Sequence, residues 1–395
     1  MRDYALPLLV TLAVTYLLTP LVRRLAIKVG AVFGARDRDV HAEPIPRMGG
    51  LAMFIGVAAG LLAASRLASL ASAISLRDLL LLLLAAGLIV GVGLIDDRFG
   101  INPAVKLIGQ IAAAAILFAG GARLQFFPLP REYLFDLTPN ESLVLTIVVV
   151  VATINAVNFI DGLDGLAAGI VCIAALSFFV YYYYLTQNVG LVPEAAPALV
   201  SVVLAGACLG FLPHNFYPAK IFMGDTGSML LGLLLAYVPI QAMSSLPFAI
   251  LYNKANRFAE ILPLLLPAAV LVLPYTDMLR AVIRRARAGQ SPFAADRKHL
   301  HHRMLEIGHS HRSSVLILYA WAAVFASIVV GLSILTVSLA YLALTTLAAV
   351  LVLALLSIPS MRFWERSSRH LALAQHQWMA FVTVDDPARP RSGSL

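Results

Sequence analysis

Apolar runs of close to 20 residues recur along this chain, and they restrict its fold more than any other feature. Each run is long enough to cross a bilayer core of roughly 30 Å as a helix. Sixty per cent of the 395 residues are hydrophobic and only 13% are charged, against about 25% charged in an ordinary soluble domain. Mean hydropathy is +0.86. The expected fold class is therefore all-α: a polytopic membrane protein of about 11 transmembrane helices, at 5–25, 49–65, 78–95, 104–121, 142–159, 165–186, 195–213, 226–243, 258–283, 313–332 and 335–358. No Pro/Gly/Ser-rich linker divides these runs, so residues 1–360 read as one integral membrane domain. Residues 361–395 read as a polar tail, disordered beyond Asp385. The first run lacks a basic leader and an A-x-A site, which makes it a first span and not a removed signal. Cys172 and Cys208 lie inside apolar runs and read as small core residues.

Basic residues orient these spans. Loops after odd-numbered spans, together with the tail, hold 22 of the 29 Lys and Arg. The positive-inside rule puts those loops and the C-terminus in the cytoplasm and the N-terminus outside. The basic stretch Arg280, Arg284, Arg285 and Arg287 is then a topology signal, and the net charge of +8 needs no nucleic acid to explain it. All nine histidines fall on the same predicted side, as do Asp96, Asp97, Asp161, Asp164 and Asp225. Polar clusters far apart in sequence would thus converge on one membrane face.

The third span ends in GVGLIDDRFG, where the adjacent carboxylates Asp96 and Asp97 repel unless a cation or proton is shared. The fifth ends in NAVNFIDGLDGLAAG, with Asn155, Asn158, Asp161 and Asp164 every three residues. Consecutive members share a helix face, and all four can act together only if the helix breaks near Gly162 and Gly165. The seventh loop, HNFYPAKIFMGDTGSMLLG, sets Asp225 among glycines just before a span. Such a loop lets backbone N–H groups approach an anion, and its acid suits Mg²⁺ bridging to phosphate oxygens. The ninth loop, QSPFAADRKHLHHRMLEIGHSHR, is dense in histidine. Zinc is disfavoured there because no cysteine accompanies the imidazoles and Arg297, Lys298 and Arg303 would repel a dication; an anionic substrate fits better. Arg47 in HAEPIPRMGG and Lys106 could each hold a phosphate or simply snorkel. Asp277 could join a site or pair with Arg280 or Arg284 on its own helix.

In combination, order and spacing, LIDDRFG, NAVNFIDGLDGLAAG, PAKIFMGDTGSML and HLHHR resemble the polyprenyl-phosphate N-acetylhexosamine-1-phosphate transferase family. HLHHR is similar to the GlcNAc-1-phosphate branch, and LAGACLGFLPHNF and RKHLHHRMLEIGHSHR to its actinobacterial members. Those members are associated with decaprenyl phosphate and with the linker between arabinogalactan and peptidoglycan. The resemblance implies Mg²⁺, with Mn²⁺ as a substitute, held by Asp225 with Asp97. It implies catalytic roles for Asp96, Asp97, Asp161 and Asp164, and a lipid-phosphate position for Lys106. Nucleotide-site positions are implied for Asn158, Asp161, Asp164 and Asn215, with Phe222 stacking on uracil, and Asn155 is a further substrate-binding candidate. His299, His301, His302 and Arg303 match the loop contacting sugar and diphosphate, and Arg47 is a further phosphate candidate. Lysines that the peptidoglycan-type enzymes carry in the first and third cytoplasmic loops are missing.

The expected function is transfer of GlcNAc-1-phosphate from UDP-GlcNAc to polyprenyl phosphate, giving UMP, on the cytoplasmic face of a bacterial plasma membrane. The expected partners are UDP-GlcNAc, the lipid phosphate and the bilayer, with no nucleic acid; a homodimer is an admissible assembly. Another UDP-N-acetylhexosamine donor is the first alternative. A lipid-linked sugar transporter is the second, disfavoured because the charges sit at span ends and not at the midplane. Single displacement and an aspartyl phospho-enzyme stand as alternative mechanisms.

Overall fold

The computed structural model describes residues 2–32, 45–71, 73–129, 133–189, 195–245, 309–334 and 339–357, with isolated helical positions at 272, 276, 279, 283 and 287. Ten helices are named among them: α1 (Arg2–Lys28), α2 (Gly50–Ala64), α3 (Leu76–Phe99), α4 (Pro103–Ala119), α5 (Pro139–Ile160), α6 (Leu166–Tyr184), α7 (Ala195–Asn215), α8 (Gly224–Ser245), α9 (His311–Ile334) and α10 (Leu339–Ser357). Seven of these segments are long and apolar enough to cross a membrane; α2 and α4 are apolar but only 15 and 17 residues long. The chain is a mostly helical, polytopic membrane protein. The first eight predicted spans and the last two each fall on a described helix, while the ninth lies almost wholly outside the described residues.

The expectation of an all-α chain needs one correction. A two-stranded antiparallel hairpin, β1 (Phe126–Leu129) and β2 (Tyr133–Asp136), links α4 to α5 with Phe126 opposite Asp136 and Leu129 opposite Tyr133. Its four-residue strands are aromatic-rich, which suits a pleated surface, but they are too short to stand out from a sequence dominated by spans.

Helix ends carry local signals. Ser75 caps α3 by accepting from the Asp78 N–H, and Asn102 caps α4 immediately before Pro103. At α5, Thr138 and Glu141 form a reciprocal capping box. Helix α1 shows the inside-out logic of a membrane bundle. Its buried stripe is Tyr4, Pro7, Thr11, Thr15, Thr19, Val22 and Ala26, while Leu9 and Leu17 are 58% and 66% exposed on the opposite side. Gly56 and Gly60 of α2 press onto Thr15 and Thr11, and Gly206 and Gly210 of α7 press onto the α1 backbone. A side chain at any of these glycines would collide, so small residues set the approach of α1, α2 and α7 where burial from water cannot drive packing.

Helix α8 runs through the centre, packed by α2, α3, α5 and α7. Gly93 of α3 touches the Thr226 backbone, and Gly232 of α8 touches Ile154 of α5. These crossings bring the C-terminal ends of α3 and α5 to the N-terminal end of α8. The acidic motifs lie at those ends.

Candidate active site

Four elements build the site. Helix α3 delivers Asp96 and Asp97 in its last turn, and Gly100 (φ +67°) reverses the chain into α4. One turn into α4, Lys106 points back at α3. Its ammonium lies 2.7 Å from Asp96 Oδ2 and 2.7 Å from Asp225 Oδ2, bridging the two carboxylates. Asp96 Oδ1 accepts the Ile101 N–H at 2.9 Å. On the other side, Asn158 of α5 donates to Asp225 Oδ1 at 3.2 Å and to Ser228 Oγ at 2.8 Å.

Asp97 is 5% exposed and serves as a cap borrowed from another helix. Its Oδ1 accepts the Asp225 N–H at 2.9 Å; its Oδ2 accepts the Thr226 N–H at 3.1 Å and the Thr226 hydroxyl at 2.6 Å. The glycines of MGDTG do let backbone N–H groups approach an anion, but the anion is the protein's own carboxylate. Gly224 adopts φ +69°, and a Cβ there would strike Asp97. The positive end of α8 thus neutralises part of Asp97's charge.

Carboxylate oxygens of Asp96, Asp97 and Asp225 lie within 4.8 Å of one another. Three carboxylates facing one ammonium leave an excess of negative charge, and hard oxygen donors so grouped suit a small divalent cation. The Lys106 bridge marks where positive charge is stabilised. Asp96 and Asp225 could hold such a cation together with Asp97, whose Oδ1 carries one hydrogen bond and keeps a second lone pair.

Asp161 follows α5 as its C-cap. Burial among protein atoms pushes its carboxyl up to about 7, with the Asp225 charge adding to the rise and Arg47 opposing it. Arg47 reaches that region because its segment is clipped on both sides: the Arg47 N–H donates to Ala31 O, the Phe222 N–H to Pro46 O, and the Gly49 N–H to Phe222 O. Phe222 is thereby fixed beside PRMGG.

Asp164 and Asn215 take bracing positions. Asp164, 3% exposed, accepts the Ala219 N–H through Oδ2 at 2.9 Å, while its own N–H donates to His311 Nε2 at 3.1 Å. Asn215 accepts the Gly165 N–H at 3.1 Å and donates to Ile221 O at 3.0 Å. Together they tie the turn between α5 and α6 to the loop before α8. His311, at the start of α9, stacks on Tyr217 with ring centroids 4.7 Å apart. His299, His301, His302, Arg303 and Asp277 lie outside the described residues.

A small pocket of ≈ 60 Å³ opens beside the carboxylates between α4, α5 and α8, lined on its polar side by Lys106, Gln110, Asn155, Asn158 and Asp225. Asn155 donates to Gln110 Oε1 at 2.7 Å. Sequence reasoning missed Gln110 and His311. A lone amide within VKLIGQIAAAAILF was a usable signal, because polar groups inside membrane spans are costly. His311 carried no signal apart from its histidine-rich surroundings.

Residues 79–243 match the model of glycosyl transferase family 4. Over 330 residues the chain is 47% identical to the decaprenyl-phosphate N-acetylglucosaminephosphotransferase of Mycolicibacterium smegmatis, covering 82% of this chain and 81% of that protein. Proteins of the same name from Mycobacterium tuberculosis and Mycobacterium leprae are 46% and 45% identical, each over 82% of this chain and over 81% and 83% of their own lengths. Identity at this level across four-fifths of both partners takes in all four elements that build the site, and the chain belongs to glycosyl transferase family 4.

Proposed function

We propose that this enzyme transfers GlcNAc-1-phosphate from UDP-GlcNAc to polyprenyl phosphate, with decaprenyl phosphate as the acceptor, in the initiating step of cell-wall polysaccharide assembly of the arabinogalactan-linker type. The observation that carries this reading is the convergence of Asp96, Asp97 and Asp225 around the Lys106 ammonium at the ends of apolar helices. Such a site can hold two phosphorylated substrates, one of them lipid, at the edge of a bilayer. The names of the relatives supply the acceptor and the transferred N-acetylglucosamine phosphate.

In the reaction an oxygen of the lipid phosphate attacks the β-phosphorus of UDP-GlcNAc. A new P–O bond forms, the bond from that phosphorus to the bridging oxygen breaks, and UMP leaves with the oxygen. Two anions must meet, so charge neutralisation is the main demand on the protein. Lys106 meets part of it directly, and Arg47 stands near Asp161 to meet more. Mg²⁺, or Mn²⁺ in its place, fits the carboxylate set of Asp225, Asp96 and Asp97 and would supply further neutralisation of the phosphate oxygens. Asn158 holds Asp225 in register, while Asp164 and Asn215 brace the loops around the nucleotide. The lipid phosphate is already ionised at neutral pH, so no strong general base is needed. The three hydrogen bonds on Asp97 oppose its use as a nucleophile, which favours single displacement over a phospho-enzyme.

The eleven-span arrangement, with the site on the cytoplasmic face of the plasma membrane, belongs to the same proposal and rests on the distribution of basic residues. The test is UMP release by purified protein given UDP-GlcNAc, Mg²⁺ and decaprenyl phosphate. Turnover should require all three, stop on chelation and return when Mg²⁺ is restored. Asp225→Asn should lower kcat at least about 100-fold. Preference for UDP-MurNAc-pentapeptide over UDP-GlcNAc would sink the donor assignment, and an active Asp225→Asn enzyme would sink the metal site.

A further inference from the structure

Gln110 stands one helical turn beyond Lys106 on the same face of α4, is 3% exposed, and lines the pocket. A chain of hydrogen bonds fixes which way its amide points. Asn155 Nδ2 donates to Val151 O, a carbonyl of its own helix, at 2.8 Å. The same nitrogen reaches Gln110 at 2.7 Å, so the Gln110 atom facing it is the acceptor Oε1. Gln110 Nε2 must therefore face the other way. Its contact there is Met229 Sδ at 3.6 Å. A primary amide nitrogen carries two protons, and a thioether is a weak acceptor. Leaving such a buried donor underused is costly unless a ligand completes it.

We infer that Gln110 Nε2 binds an oxygen of the acceptor's phosphate, making Gln110 an acceptor-binding residue one turn deeper in the bundle than Lys106. This inference rests on the polyprenyl phosphate reading above. Two features select the lipid phosphate over the nucleotide sugar. The rest of the pocket wall is Pro103, Leu107 and Met229, which suits the first carbons of a prenyl chain. Helix α4 also separates the pocket from lipid by its own width alone, since Val105, Ile108 and Ile111 on its other side are 51%, 67% and 38% exposed. A phosphate entering from lipid would meet Lys106 as its counter-charge and Gln110 as a directed donor.

Gln110→Leu and Gln110→Glu, made in the full chain, test this. Gln110→Leu should raise KM for decaprenyl phosphate roughly ten- to hundred-fold, the worth of a hydrogen bond to a charged group, and leave KM for UDP-GlcNAc within about two-fold of wild type. Gln110→Glu keeps the shape but presents an anion, and should lose the thermal stabilisation that decaprenyl phosphate, unlike decaprenol, confers on wild type without nucleotide. Should Gln110→Leu be recovered unfolded, Gln110→Met replaces it in the same assays. A rise in KM for UDP-GlcNAc instead would overturn the inference by assigning the pocket to the donor. Unchanged constants in both variants would overturn it by leaving Gln110 a packing role. If wild type fails to turn over UDP-GlcNAc yet still shows Gln110-dependent stabilisation by decaprenyl phosphate, the donor assignment falls and this inference stands.

Discussion

Asp97 performs two tasks that substitutions can separate. It closes the N-terminus of α8 with three hydrogen bonds, and it stands within ligand distance of Asp96 and Asp225. Asp97→Ala leaves two buried N–H groups without acceptors, so it should cost about 1–3 kcal/mol and lower the melting temperature in detergent. Asp97→Asn retains a capping oxygen and should keep most of that stability while losing at least about 100-fold in turnover. If Asp97→Asn were both stable and active, Asp97 would be a cap alone. The neighbouring Asp161 makes a pH prediction. Its carboxyl, pushed up from 3.8 to about 7 by burial, resists ionising in the folded chain. Once the unfolded chain ionises, above its pKa of 3.8, the folded state is at a disadvantage. Stability contributed by Asp161 should therefore be greatest at acid pH, decline as pH rises toward about 7, and then level off. Melting temperatures without divalent cation should show this decline in wild type and a shallower one in Asp161→Asn. Equal slopes would remove the burial effect.

Among elements, the junction of α3 with α8 decides how well the site is assembled, and two glycines test it. Gly224 and Gly100 both hold positive φ, +69° and +67°. Around Gly100 a Cβ would meet nothing within 4 Å, whereas at Gly224 it would meet the Asp97 carboxylate. Gly100→Ala should incur only backbone strain, about 1 kcal/mol, with turnover preserved. Gly224→Ala adds a collision that displaces the cap, so turnover and melting temperature should fall together; equal effects at the two glycines would mean that strain alone matters. The same junction shows what a sequence can reveal. LIDDRFG and MGDTG were legible as chemistry because acids at the ends of membrane spans are hard to explain as packing. That Asp97 would cap α8 was not, because a cap borrowed from another helix depends on the crossing of α3 and α8 at Gly93 and Thr226. Asp164 and Asn215 were legible as members of motifs, but the bracing bonds they make join segments about 50 residues apart. Gln110 escaped notice because a single amide does little to an apolar run's average.

At the scale of the molecule, the polar ends of α3, α5 and α8 meet on one side, and the β1–β2 hairpin lies at the opposite end of α4 and α5. Gln125, just before β1, donates to Ser244 O at the far end of α8, so the hairpin and the acidic cluster are separated by the length of that helix. With 22 residues in α8, at 1.5 Å each, the separation is about 30 Å, the thickness of a hydrocarbon core. On the proposed orientation the acidic end faces the cytoplasm and the hairpin the exterior. Both cysteines, Cys172 and Cys208, are buried, which gives a low background for thiol labelling of membrane vesicles. Phe99, at the end of α3, is 73% exposed, and Phe135, in β2, is 49% exposed. Single cysteines at these positions should be labelled by an impermeant maleimide from opposite sides: Phe135→Cys in right-side-out vesicles, Phe99→Cys in inverted ones. The reverse pattern would put the site outside, away from nucleotide sugars, and the proposed reaction would lose its donor. Labelling of both from one side would show that α4, only 17 residues long, fails to cross.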